Sequence, residues 1–252
     1  MKKCLICSNE FNPFVDFGSM PIGNAFSTKK ELENEYFFPM QVGFCETCKM
    51  VQLLEQPDRE KMFHDSYAFF SSTSNYMINH FRKFASSVSS LQNLSEKSFV
   101  VEIGSNDGIM LQNFVSDNIP CLGVEPSKNV ANVAMERGIE VKTEFFDRPL
   151  AEKISKTHQK ADAILSANVM CHIPYMHSIF EGVKTLLKND GVFIFEDPYL
   201  GEIIEKTSFD QIYDEHVFLF SALSVSDIVK KHNLELINVE PQITHGGSMR
   251  YT

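Results

Sequence analysis

Between Ser98 and Pro198 short apolar runs alternate with segments of helical periodicity, and this alternation limits the possible folds more than any other feature. "SFVVEIG", "CLGVEP", "IEVK", "ADAILSA" and "GVFIFEDP" read as strands. "IMLQNFVSD", "KNVANVAMERG" ending at Gly138, the segment around Leu150 to Lys156, and "MHSIFEGVKTLLKNDG" read as helices. Strands separated by helices build βαβ units, so an α/β fold with a mostly parallel sheet, covered on both faces, is expected. The remainder adds a helix "SVSDIVKKH", a strand "LELINVEP", the polar turn "THGGS" and a last strand "SMRYT" returning antiparallel. Upstream, "YAFFSSTSNYMINHFRKFASSV" has helical spacing behind a Ser/Thr-rich start, with a cap expected within Ser72 to Asn75.

The first 66 residues follow other rules. Cys4 and Cys7 form one C-x-x-C, and Cys45 and Cys48 form another. Each pair fits a tight turn that aims both sulfurs at one ion, and four thiolates at about 2.3 Å make the closed shell of a structural zinc. The intervening Pro/Gly-punctuated segment suggests a small β-rich unit with too little core to fold without the metal. The expected division is therefore a zinc-binding domain at 1–66 and a larger domain at 67–252. Cys121 and Cys171 lie in apolar contexts and read as buried small hydrophobes.

Composition bounds the partners. The 252 residues carry a formal charge of -10, with Lys and Arg scattered, which disfavours nucleic acid. No apolar run approaches the roughly 20 residues of a membrane span, and the N-terminus turns polar too early for a secretory signal. Six cysteines without an export signal read as thiols or metal ligands, and a cytoplasmic location is expected.

In open α/β sheets ligands bind beyond the carboxyl ends of the strands. The first such loop is "EIGSNDGIM". A dinucleotide loop would read G-x-G-x-x-G, but here Asn106 and Ile109 stand at the second and third glycine positions and Asp107 opposes a phosphate. The loop around Gly104 instead suits a ligand without phosphate and with a positive group. Glu125, ending the second strand, is placed to accept a ribose diol. Together they describe an adenosine ligand carrying a cation, as S-adenosylmethionine does.

"CLIC…CETC", "YAFFSSTSNYM", "EIGSNDGIML", "GVEPS", "ANVMCHIPY", "YDEHVFLFS" and "THGGSMR" together resemble, in order, the motif series of the nucleotide-sugar C-methyltransferases. The resemblance spans essentially the whole chain. It implies an N-terminal zinc-binding domain and a class I methyltransferase core, Rossmann-like, using S-adenosylmethionine. Members of that family normally continue into a further C-terminal domain that helps bind the nucleotide-sugar, whereas this sequence stops at Thr252; the acceptor is the expectation this weakens most.

Methyl transfer from a sulfonium needs an aligned acceptor and a base. "YDEH" places Tyr213, Asp214, Glu215 and His216 directly before the apolar run Val217 to Phe220. His216 is the expected base, because neutral imidazole is available near pH 7. The resemblance implies that Glu215 and Tyr213 stand with it around the reacting sugar carbon, while Asp214 is expected to be solvated. His172 in "ANVMCHIPY" is either an acceptor contact or proton relay, or a packed helix-start histidine. Asn168 and Pro126 join the expected cofactor contacts, as does Phe146 by stacking near adenine. Tyr67 is a candidate lid and His245 a candidate border of the acceptor pocket. The expected reaction is C-methylation of a keto-deoxysugar through an enolate. O-methylation of a sugar or small phosphorylated precursor, and a non-catalytic S-adenosylmethionine-binding module, are the alternatives; the oligomeric state is open.

Overall fold

The computed structural model describes residues 2–24, 26–63 and 67–252. The chain packs as two units: residues 1–62, 168–177 and 196–252 form the first, residues 63–167 and 178–195 the second. The expected division at Ser66 falls at residues outside those described.

The first unit begins with a ribbon of β1 (Lys2–Lys3) and β2 (Glu10–Phe11). Then β3 (Pro13–Pro21), β4 (Phe37–Phe44) and β5 (Val51–Leu53) pair antiparallel in sequence order. Along β4, Phe38, Met40 and Val42 are buried while Phe37 and Phe44 are exposed, the period of two that gives a sheet one apolar face. A four-residue helix α1 (Arg59–Met62) ends this part.

The second unit starts with α2 (Asn75–Gln92). Its N-cap is Ser74, whose side chain accepts from Met77 N at 3.4 Å, and Asn93 closes it in a left-handed conformation. There follow β6 (Val100–Ile103), α3 (Leu111–Ser116), β7 (Cys121–Val124), α4 (Lys128–Glu136), β8 (Glu140–Lys142), α5 (Arg148–Ile154) and β9 (Ala161–Ala167). The strands pair in parallel in the order β9-β6-β7-β8, with Val101 of β6 facing Ile164 and Leu122. Every residue of β6 is buried, as expected for a central strand covered on both faces. Phe84, Val88, Met110, Leu111 and Phe114 pack over it.

α6 (Met176–Leu186) leads without a loop into β10 (Leu187–Pro198), and both cross from one unit to the other along the chain. The sequence expects this helix to run through Gly191. It stops at Leu186, where the chain turns extended; within that strand Gly191 approaches the carbonyls of Ala161 and Asp162 so closely that a Cβ would lie 2.9–3.0 Å from them, an approach that favours glycine.

The first unit resumes with α7 (Leu200–Lys206), β11 (Phe218–Leu219), α8 (Ala222–Lys231), β12 (Val239–Gln242) and β13 (Ser248–Tyr251). β11 pairs with β5, Phe218 opposite Gln52. β13 returns antiparallel to β12 as expected. "LELINVEP", however, enters the ladder only at Val239. Asn233 is left-handed (φ 56), and Leu234 N closes α8 on Val229 O before the chain extends. Among the described residues no helix is long and apolar enough to cross a membrane.

Candidate active site and metal centre

The two C-x-x-C turns are built alike. Cys4 N donates to Asn9 O and Ser8 N to Cys4 O; Cys45 N donates to Met50 O and Lys49 N to Cys45 O. Ser8 and Lys49, each directly after the second cysteine, are left-handed at φ 61 and φ 59. The four sulfurs lie within 4.8 Å of one another, with Cys4 and Cys48 at 3.5 Å and Cys7 and Cys45 at 3.4 Å. A tetrahedron with ~2.3 Å metal–sulfur bonds has sulfur–sulfur edges of about 3.8 Å, so the cluster fits zinc. The hydrogen bond from the Cys48 thiol lowers Cys4 to about 5, while the same contact pushes Cys48 up. A thiolate is thus already favoured at one corner. The backbone supports this charge, Ile6 N reaching Cys4 Sγ at 3.4 Å. Gln52 Oε1 of β5 accepts from Leu5 N and lies 3.3 Å from Cys4 Sγ, tying the first turn to the sheet.

In the second unit, the loop after β6 carries three positive φ angles, at Gly104 (70), Asn106 (47) and Gly108 (80). At Gly108 a Cβ would stand 2.3 Å from Ile139 Cδ1, so glycine is required for packing as well as for φ. Glu125 is buried and accepts Asn106 N on one oxygen and Ser127 N on the other, at 3.0 and 2.8 Å. A carboxylate has about four lone-pair sites, so it retains capacity for a diol. Pro126 beside it is half-buried.

Asp107 differs from expectation. It is fully buried, accepts from Ser72 N at 3.0 Å and from the Ser72 hydroxyl, and pairs with Arg137 Nη1 at 3.7 Å. Its carboxylate holds residues 71–73 onto the loop, with Ser71 N also bound to Asn106 Oδ1. Phe146 also departs from its expected adenine contact. It is buried against Gly182 of α6, where a Cβ would meet its ring at 3.0 Å, so it is core; the half-buried neighbour is Phe145. Tyr67 packs its ring on Phe63, with its carbonyl held by Asn129.

Sequence reasoning missed Glu102. Its carboxyl is buried at the end of β6 with Oε2 lacking a hydrogen-bond partner, and is pushed well above the usual range by burial and then by Glu125 and Asp107. Three buried carboxylates around one glycine turn fit a ligand that brings positive charge, and fit a pyrophosphate poorly. The acid two residues before Gly104 was the available signal.

The second constellation lies in the first unit. His216 is buried, with Nδ1 2.7 Å from Gln211 O. Only a protonated Nδ1 can make that bond, so the lone pair of the neutral ring is on Nε2. Burial, then the charge of His172, lowers His216 to about 3 and keeps it neutral. Tyr213 packs on its ring at 4.4 Å and His172 at 5.2 Å between centroids. His172, which burial lowers to about 4, sets Nδ1 2.8 Å from Glu215 O, and the Asn168 carbonyl also lies against its ring. Glu215 is buried, raised by that burial, and held by Asn24 Nδ2 at 2.7 Å and by the Tyr213 side chain. Asp214, expected to be solvated, is buried and accepts from Gly23 N at 3.0 Å. Asn168 is left-handed (φ 57) with Oδ1 buried and without a hydrogen-bond partner. His245 is exposed and left-handed. Gly23 and Asn24 went unmarked in the sequence because their partners lie 191 residues away.

Comparison with known proteins bears on the two parts of the chain. A family model described as "Putative zinc binding domain" matches residues 4–63, and one described as a methyltransferase domain matches residues 74–239. The chain belongs to the methyltransferase-domain family. It has the class I methyltransferase fold, and its four clustered cysteines fit a zinc site. The C-methyltransferase NovU of Streptomyces niveus is 32% identical over 249 residues; the match takes in 98% of this chain, which spans 59% of that protein's length. In fold, the chain is similar to magnesium protoporphyrin IX methyltransferase from Synechocystis with bound SAH, at 12% identity and TM-score 0.52, covering 69% of this chain and 81% of that one. It is similar also to an S-adenosylmethionine-dependent methyltransferase from Clostridium acetobutylicum, at 13% identity and TM-score 0.52, covering 71% and 92%.

Proposed function

We propose that this protein methylates a carbon of a keto-deoxysugar, carried on a nucleotide, using S-adenosylmethionine. The cofactor supplies an electrophilic methyl group. The loop Gly104–Gly108 receives its cationic end beside Glu102, whose ionised form that charge favours, and Glu125 takes its ribose. His216 would remove the proton beside the ketone, and the enolate so formed would be the nucleophile for the methyl group, whose carbon–sulfur bond breaks to release the neutral thioether. Glu215 and Tyr213 orient the base and the acceptor, and His172 fixes the backbone at Glu215.

The observation that carries this reading is the hydrogen bond from His216 Nδ1 to Gln211 O, which leaves Nε2 as a buried, neutral base of fixed direction. The similarity to NovU supports the carbon acceptor. The test uses a nucleotide-linked 4-keto-deoxysugar in deuterated water without cofactor. Wild type should exchange the proton at the carbon beside the ketone, and His216→Asn should not. In the complete reaction, turnover of His216→Asn should fall by at least ~10²-fold, the usual contribution of a positioned base. Methylation without carbon exchange would replace this reading with O-methylation, and an unchanged rate in the variant would reassign His216 to structure.

A further inference from the structure

Cys171, His172 and His216 each bring one ligand atom to within 4.8 Å of the other two. Metal–nitrogen bonds of about 2.0–2.1 Å and metal–sulfur bonds of about 2.3 Å put the ligand atoms of a tetrahedral site roughly 3.3–3.6 Å apart, so the three need only contract. All three side chains are shielded, Cys171 being 1% and His216 7% exposed.

The surroundings are those of a metal site. Nδ1 of His172 faces Glu215 O and Nδ1 of His216 faces Gln211 O. A ligating histidine characteristically donates its other ring N–H to a carbonyl or carboxylate, which fixes the tautomer and orients the lone pair. Beside the sulfur stands Asp197 at the end of β10. Its side chain hydrogen-bonds the Cys171 thiol and Oδ1 accepts Cys171 N at 3.3 Å. Asp197 is wholly buried and its Oδ2 has no hydrogen-bond partner, so an ionised carboxylate there would need its charge offset. A divalent ion at the sulfur would provide that offset.

We infer that Cys171, His172 and His216 form a second metal site, separate from the four-cysteine cluster, for a borderline divalent cation of the zinc type. Two imidazoles and one thiolate match zinc or cobalt(II) and not magnesium or calcium, and three protein ligands leave a coordination position open. As the metal–sulfur bond forms, the thiol proton leaves to solvent. The metal takes the Nε2 lone pair of His216, so its binding should inhibit methyl transfer. That consequence rests on His216 being the base; the binding itself does not.

Cobalt(II) is the probe, because it binds less tightly than zinc and so leaves the four-thiolate zinc in place during a short titration. Protein carrying its structural zinc should take up one further cobalt per chain, with visible d–d bands and a sulfur-to-cobalt charge-transfer band. Cys171→Ser should abolish the charge-transfer band and weaken cobalt binding at least roughly tenfold, as should Cys171→Ala, whose thermal stability shows that the fold survives. His216→Ala should weaken cobalt binding similarly. No cobalt uptake, or a charge-transfer band unchanged in both Cys171 variants, overturns the site. In turnover assays added zinc should inhibit wild type, a mild chelator should restore it, and Cys171→Ser should show a weaker inhibition relative to its own metal-free rate. Cobalt bound through Cys171 and His216 without inhibition would uphold the metal site and remove His216 from the role of base.

Discussion

Glu125 and Glu102 are buried carboxyl groups at adjacent strand ends with opposite histories in the sequence. Glu125 was legible, because an acid ending the second strand of a βαβ unit has one well-understood use. Glu102 reads as one more residue of an apolar strand, and only its burial and unpartnered oxygen mark it. Glu125→Ala should weaken S-adenosylmethionine binding by about 1–3 kcal/mol, through loss of charge-assisted hydrogen bonds. Calorimetry would measure this, and unchanged affinity would remove Glu125 from the site. For Glu102 the sign follows from linkage. Its folded pKa is raised, mainly by burial, so from the ordinary carboxyl value of 4.5 upward the folded state binds more protons than the unfolded chain. The stability it contributes is present below that value and is lost as pH rises toward the folded pKa. Glu102→Gln cannot ionise, so its melting temperature should gain on that of wild type as pH is raised from about 4.5 to 8. A gap independent of pH would show that Glu102 does not titrate in this window. Asp107 has partners that its sequence position does not announce: its carboxylate accepts from Ser72, 35 residues away, and stands 3.7 Å from Arg137, 30 residues away.

Among the elements, those set by short-range rules could be read in advance. The paired C-x-x-C turns need one left-handed residue after the second cysteine, and Ser8 and Lys49 provide it. The helix behind the Ser/Thr segment begins at its Ser74 cap. Elements decided by contact across the fold could not be read: Gly191 lies in a strand against the carbonyls of Ala161 and Asp162 rather than at the end of α6, and Phe146 is captured under Gly182. The metal turns yield a direct expectation. Purified protein should contain about one zinc on four thiolates, and Cys45→Ser, which leaves three sulfurs for a shell that needs four, should lose it and lower the first thermal transition. Metal analysis showing full zinc in the variant would exclude the four-cysteine site.

For the whole molecule, the cysteine domain at the N-terminus and the "YDEH" run near residue 215 are one packing unit, although the sequence separates them by more than 150 residues. β5 carries the connection. Gln52 holds the first cysteine turn through Leu5 N and pairs with Phe218, Leu53 N donates to Val217 O, and Gly23 and Asn24 hold Asp214 and Glu215. Removing zinc should therefore loosen the supports of Glu215 and His216. The glycine loop, Glu102 and Glu125 belong to the second unit, whose α2, α3 and parallel strands have a core of their own. A strong chelator that strips zinc should accordingly abolish or sharply reduce methyl transfer while S-adenosylmethionine affinity stays within about twofold, and zinc restored before aggregation should recover turnover. The separation matters because general unfolding would remove both activities together. If zinc-free protein turned over at the wild-type rate, the zinc turns would be a stabilising appendage with no part in positioning His216; if cofactor affinity collapsed with the metal, the second unit would depend on the first for its stability.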